Sequence, residues 1–484
     1  MENAKEKKDS VITNVIWRFA EKWGCQATTF VVTIVIARIL NPDAYGIVAI
    51  VNSFIQIFTI FIDAGLGTSL VQKKDSDDLD FSTVFVANFI LCVFIYLIIY
   101  ALAPLIAKYY EILDLTILLR VSSISIIIYS LKNVQEAYIS KHLLFKNFFF
   151  SSLAGTIGAG VVGILMAING FGAWALIVSH LFDVIVDTIV MIFTVRWHPS
   201  FRFSLDRFKP LFKFSSRLLV SGLLNRLYNK MYHLLIGKYY SSSDLAYYDK
   251  GNNFTTKVTD NTDSVINYVL FPVMSKKQDD KNKLKNIAKR ALTVNTYIVF
   301  PLLIGLFTVS NSVVKVLLTD KWLPAVPFIQ LFCLINLFLP MQTINTNIIK
   351  SIGKSDIILK QEVIVKVIGV IIIITTLRYS VIMVVVGKLI LNVIYYIVYA
   401  YPNKKIIEYG ILEQIKDILP NLIISILMGL FVYFVGKINA NILFVLVIQI
   451  VVGGLIYVLL SYITKNDSFN YLISTIKTKI KQKG

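Results

Sequence analysis

At 484 residues, with 56% apolar and 16% charged residues and a mean hydropathy of +0.70, the chain holds more apolar sequence than a soluble core needs. Its net charge of +19 is distributed according to the order of the apolar runs rather than along a continuous basic surface, which argues against a nucleic-acid partner. Composition therefore predicts an all-α, polytopic membrane protein.

Fourteen apolar spans are read along the chain, at 13–37, 44–66, 83–105, 115–135, 147–168, 171–195, 212–236, 245–271, 287–310, 327–349, 357–377, 379–400, 418–437 and 441–463. In the first, Asn14, Arg18, Glu21, Lys22, Cys25 and Thr29 share one helix face, opposite Phe19, Trp23, Ala27 and Phe30. Asp63 stands near the inner end of the second span, where it caps, pairs at the interface or couples to an ion. Gly155, Ala159 and Gly163 in the fifth are spaced by four, as close helix packing requires. In the sixth, Asp183 and Asp187 lie one turn apart, suited to a shared proton, a cation, or a pair with Arg120 or another neighbour. The seventh carries Arg217, Ser221, Asn225 and Tyr228 on one face and Arg226, Lys230 and His233 nearly opposite.

The eighth span is the most polar. Asp249, Lys250, Asn253, Lys257, Asp260, Asn261, Asp263, Ser264 and Asn267 fill about half of its helical wheel, while Phe254, Val258, Val265 and Val269 fill the rest. A charge at the centre of a bilayer costs on the order of 3 kcal/mol even on a lenient scale, so these faces are expected to line a cavity. Internal ion pairs such as Glu21 with Arg18 explain two residues and not a whole face. Pro340 lacks an amide hydrogen and predicts a kink in the tenth span. Phe469, Leu472, Ile473, Ile476 and Ile480 predict a short amphipathic helix on anionic lipid, within the basic tail 465–484.

Cations gather at Lys73 and Lys74, from Arg196 to Lys213, from Lys276 to Arg290 and in the tail, whereas the alternate connections hold Arg38, Lys108, Lys238, Lys315, Lys321, Arg378 and Lys437. That asymmetry predicts both termini in the cytoplasm. The first span has lysines before it and no small-residue cleavage site, so it reads as a retained anchor. The stretch from Ile36 to Gly46 returns as Ile236 to Tyr248, and Val71-Gln-Lys-Lys74 returns as Met274-Ser-Lys-Lys277. Two related lobes follow, residues 1–196 with spans one to six and 197–400 with spans seven to twelve. The last two spans occupy 401–464. An even number of helices per repeat gives both repeats the same orientation.

Gly353-Lys354-Ser355 lacks the glycine of a phosphate loop at the required distance, because Ile348 stands there, so no ATP site is read. Cys25, Cys92 and Cys333 and the four histidines show no metal-ligand or disulfide spacing. No metal or cofactor is expected.

Leu40-Asn-Pro-Asp-Ala-Tyr-Gly46, Asp63-Ala-Gly-Leu-Gly67 with Val71-Gln-Lys-Lys-Asp75, Phe271-Pro-Val-Met-Ser275, and Lys321-Trp322 with Ala325 resemble the polysaccharide exporters of the MOP flippase superfamily, in particular the colanic-acid and teichuronic-acid exporters. The resemblance covers spans one to eleven. It implies a MATE-like fold, alternating access in the cytoplasmic membrane of a bacterium, and a substrate oligosaccharide on undecaprenyl pyrophosphate, with polysaccharide polymerase machinery as a partner. Arg18, Lys22, Arg217, Lys250 and Lys257 suit its phosphates and Asn253, Asn261 and Asn267 its sugars. Glu21, Asp63, Asp249, Asp260 and Asp263 are candidates for coupling to a proton or sodium ion. A cation antiporter of the same superfamily would favour an acidic cavity, and a membrane polymerase or glycosyltransferase would present a substantial outer loop, which this chain lacks.

Overall fold

The computed structural model describes residues 2–63, 66–73, 75–142, 145–195 and 197–481, and they form helices without a strand. Two compact units are distinguished, Met1–Ala246 and Tyr247–Gly484. The first contains α1 (Glu2–Ile39), α2 (Pro42–Phe58), α3 (Ile60–Asp63), α4 (Leu66–Gln72), α5 (Asp78–Tyr110), α6 (Leu115–Ser122), α7 (Ile124–His142), α8 (Phe145–Ile168), α9 (Ala173–Thr194) and α10 (Leu205–Tyr239). The second contains nearly all of α11 (Ser242–Ser275), then α12 (Lys281–Leu317), a 3-10 turn (Asp320–Ala325), α13 (Val326–Asn336), α14 (Leu339–Ser351), α15 (Ser355–Thr376), α16 (Val381–Ile407), α17 (Ile411–Val435), α18 (Ile442–Ile463) and α19 (Asp467–Lys481).

Of the fourteen expected spans, ten are helical segments long and apolar enough to cross a membrane among the described residues. The other four fall on α1, α10, α11 and α15, which are helices of 22 to 38 residues rich in polar and charged side chains. Polarity, not helix length, separates the two groups.

Three expected spans are broken rather than continuous. α2 gives way to α3 at Thr59, α6 to α7 at Ser123, and α13 to α14 at Leu337 and Phe338. The last break lies just ahead of Pro340, which occupies the first turn of α14, where a missing amide hydrogen costs nothing. At the first break Arg226 of α10 donates to the Gln56 carbonyl at 2.8 Å and to Thr59 Oγ1 at 2.9 Å. A cation from the seventh expected span thus satisfies backbone freed in the second.

α10 runs beside α5 and is tied to it at both ends. Arg207 meets Asp77 at 3.3 Å and the fully buried Asp80 at 3.5 Å, while Lys238 meets Glu111 at 2.9 Å. Asp80 also binds Lys73 at 2.5 Å and forms a reciprocal capping box with Asp77 at the start of α5. The two repeated turns abut as well: Ser243 Oγ donates to Asp43 at 2.5 Å, and a Cβ on Gly46 would stand 1.7 Å from the Ser242 carbonyl oxygen.

Candidate functional site

In the first unit α1 lies along α8. Trp17 packs on Phe149 and Phe150, with ring centroids 5.2 Å and 6.0 Å away, and Val32 and Ile36 press on Gly160 and Gly163 farther along. This anchoring fixes Arg18, whose guanidinium pairs with Glu21 at 2.8 Å and lies 4.7 Å above the Phe148 ring. The Arg18 side chain remains half exposed, and Lys22 beside it is exposed. One ion pair therefore forms within the expected polar face and leaves cationic surface accessible.

Deeper in this unit the expected pair Asp183 and Asp187 meets two charged residues, Lys132 and Glu136, that the sequence pattern did not single out. Lys132 of α7 binds Asp187 of α9 at 2.5 Å and Glu136 of its own helix at 3.0 Å. Its ammonium lies 5.5 Å from the centre of the Tyr129 ring, which neighbours His180. Asp183 sits one turn before Asp187 where α9 packs closely on α8, and a Cβ on Gly155 would lie 2.8 Å from Asp183 Oδ1. The signal for this cluster was a lysine four residues before a glutamate within an apolar run, with two aspartates in another. Arg120, one expected partner of these aspartates, instead donates to the Tyr100 carbonyl at 3.2 Å and stacks on the Tyr100 ring.

In the second unit the first turns of α11 pack on α13, with a Cβ on Gly251 only 2.6 Å from Phe328 Cβ. Lys250 is consequently buried, its ammonium 5.2 Å from the centre of the Trp322 ring. Tyr248 is buried edge-on to Phe332, and Lys388 of α16 reaches its hydroxyl at 3.4 Å and lies 5.0 Å from the Phe332 ring centre. Two lysines thus enter one aromatic neighbourhood. Farther along α11, Asn253 and Lys257 are exposed, and Asn253 donates to Asp249 at 2.8 Å. Lys250 and Lys257 share a helical face but differ in surroundings, the first buried against Trp322 and the second exposed. The side chains of Asp63, Arg217, Asp260, Asn261, Asp263 and Asn267 lie outside the described residues.

The family of polysaccharide biosynthesis proteins Polysacc_synt_3 matches residues 35–327, more than half of the chain. The chain belongs to that family. Relatives include the succinoglycan biosynthesis transport protein ExoT of Rhizobium meliloti, 26% identical over 67% of this chain and 66% of its own length. The teichuronic acid biosynthesis protein TuaB of Bacillus subtilis is 24% identical over 62% of each chain, and the lipopolysaccharide biosynthesis protein WzxC of Escherichia coli 24% identical over 65% of this chain and 66% of its own. The matches thus span just under two thirds of these relatives. The fold is similar to that of the lipid II flippase MurJ in an inward closed conformation, with a TM-score of 0.74 over 94% of this chain and 99% of that one, at 17% identity. An inward-facing MATE transporter of the MOP superfamily gives a TM-score of 0.63 over 78% of this chain and 94% of its own, at 13% identity. With ten helical segments long and apolar enough to cross a membrane among the described residues, and with this fold, the chain is a multi-pass membrane protein.

Proposed function

We propose that this protein is a flippase, not an enzyme, and that it moves undecaprenyl-pyrophosphate-linked oligosaccharide repeat units from the inner to the outer leaflet of a bacterial cytoplasmic membrane, for cell-surface polysaccharide synthesis. The observation that carries this reading is the set of cations held on helices of a membrane protein: Arg18 and Lys22 on α1, Lys250 and Lys257 on α11, and Lys388 on α16. A pyrophosphate headgroup must leave water to cross the bilayer, and charge-assisted hydrogen bonds from such groups offset that loss. Arg18 suits a forked grip on phosphate and the exposed Lys22 and Lys257 supply point charges. Asn253, exposed beside Lys257, supplies donors and acceptors for sugar hydroxyls.

Family membership and the roles for which the relatives are named support the same substrate class. The cation antiporter reading is weaker, because aromatic-packed lysines repel the cargo it requires. Uphill movement draws on an ion gradient, since one charge crossing 100 mV gains about 2.3 kcal/mol.

The test uses the purified protein in liposomes carrying an undecaprenyl-pyrophosphate-linked oligosaccharide, with accessibility to an impermeant glycosidase as the readout. The protein should expose lipid-linked sugar that control liposomes keep protected. Uptake of a cationic dye with no exposure of sugar would replace this reading with the antiporter.

A further inference from the structure

We propose that the first unit contains a proton-binding site, formed by Asp183 and Asp187 with Lys132 as fixed counter-charge, through which the gradient acts on the protein. Its purpose rests on the flippase reading; its chemistry does not. The groups facing it are Glu21 and Cys25 from α1, Tyr129, Lys132 and Glu136 from α7, Thr156 from α8, and His180 from α9. Glu21 already has Arg18. Lys132 is therefore the one ammonium, among the described residues, shared by Glu136, Asp187 and Asp183.

Glu136 and Asp187 bind that ammonium directly, whereas Asp183 takes no part in the described ion pairs and lies against α8 at Gly155 and Thr156. Surplus negative charge in apolar surroundings is costly, and a proton is the smallest ligand that removes it. Asp187 has an oxygen ready to receive that proton's hydrogen bond. It is 7% exposed, and its Oδ1 is buried without a hydrogen-bond partner among the described residues. A proton from water that adds to the Asp183 carboxylate creates an O–H one helical turn away, which that oxygen can accept. The reverse step returns the proton to water and breaks no other covalent bond.

A metal ion fits the cluster less well. The Lys132 ammonium fills the place between Asp187 and Glu136, and no group of three or more His, Cys, Asp or Glu side chains among the described residues is arranged to hold a metal.

Proton uptake by the purified full-length protein in detergent, read with a pH indicator in weak buffer and without any lipid-linked sugar, tests the site. The protein should take up about one proton per chain that Asp183→Asn does not. Asp183→Glu should restore that uptake, and Lys132→Met should move it to more alkaline pH, because an opposite charge has been removed. Equal uptake by the parent and Asp183→Asn would overturn the proposal. So would displacement of the proton by sodium, or a loss seen in Glu21→Gln but not in Asp183→Asn. If Asp183→Asn does not fold, Asp183→Glu and Lys132→Met carry the test, and an unshifted titration in Lys132→Met overturns it. Proton uptake without any flipping by the parent protein would refute the functional reading and uphold the site.

Discussion

Asp80 is the most heavily engaged carboxylate at the start of α5: it is fully buried, binds Lys73 and Arg207, and accepts the backbone N–H of Asp77 at 3.1 Å. Removing one partner of a buried charge cluster costs about 3–5 kcal/mol, because the others remain desolvated. Thermal unfolding in detergent should show a loss of that size for Asp80→Ala, against about 1 kcal/mol for removal of the neighbouring cap in Asp77→Ala. The Asp80 backbone N–H, with help from Arg207, holds the Asp77 carboxyl below its ordinary value. A depressed folded value means that the cap stabilises above the ordinary carboxylate range and loses this effect as pH falls through the lowered value. The stability gap between parent and Asp77→Ala should therefore close in acid. At Arg18 the expectation is different: Arg18→Ala should abolish sugar-lipid export while protein abundance, read by immunoblot, stays near normal, since the side chain is half exposed. Unchanged export would remove Arg18 from the substrate site. Arg18 and Glu21 were legible because three-residue spacing joins them on one helix; Lys132 and Asp187 were not legible as partners, because 55 residues separate them and only helix packing brings them together.

At the scale of elements, hydropathy located the helices well where they are apolar and said little about their interruptions. The break ahead of Pro340 was readable from a missing donor, whereas those at Thr59 and Ser123 have no proline or glycine at the break and depend on partners elsewhere, as Arg226 shows for the first. The small-residue stripe of α8 behaves as spacing implied: Gly155 meets Asp183, Gly163 meets Ser179, and Ser179 donates to the Ala159 carbonyl at 2.7 Å. The tail helix α19 uses part of its apolar face on protein, because Phe469 and Leu472 join the cluster around Tyr297 and Tyr457, and Arg290 stacks on Tyr471 at 4.1 Å. Less of that face is left for lipid than its pattern alone implies. The tightest approach at any glycine among the described residues is Gly46 on Ser242, where no side chain fits. Gly46→Ala should cost about 3 kcal/mol by forcing backbone apart, measurable as a lower unfolding temperature, while alanine at Gly454, which has open space, should leave it unchanged.

For the whole molecule, the distribution of cations along the sequence yields the most direct expectation. A cysteine replacing Lys281 should resist an impermeant thiol reagent added outside intact cells and react after permeabilisation, because its basic neighbours are expected in the cytoplasm. Labelling from outside would invert the topology. The tie between α10 and α5, together with the seat of Ser242 on Gly46, has a consequence for biosynthesis. The first unit extends through Ala246, and its last parts brace both ends of α5 and cover the turn after α1. A nascent chain that has delivered only six spans still has Asp80 without Arg207 and Gly46 without its neighbour. Closure of this unit must wait for about fifty further residues to leave the ribosome, so a chain stalled before α10 should be the form that membrane proteases remove first.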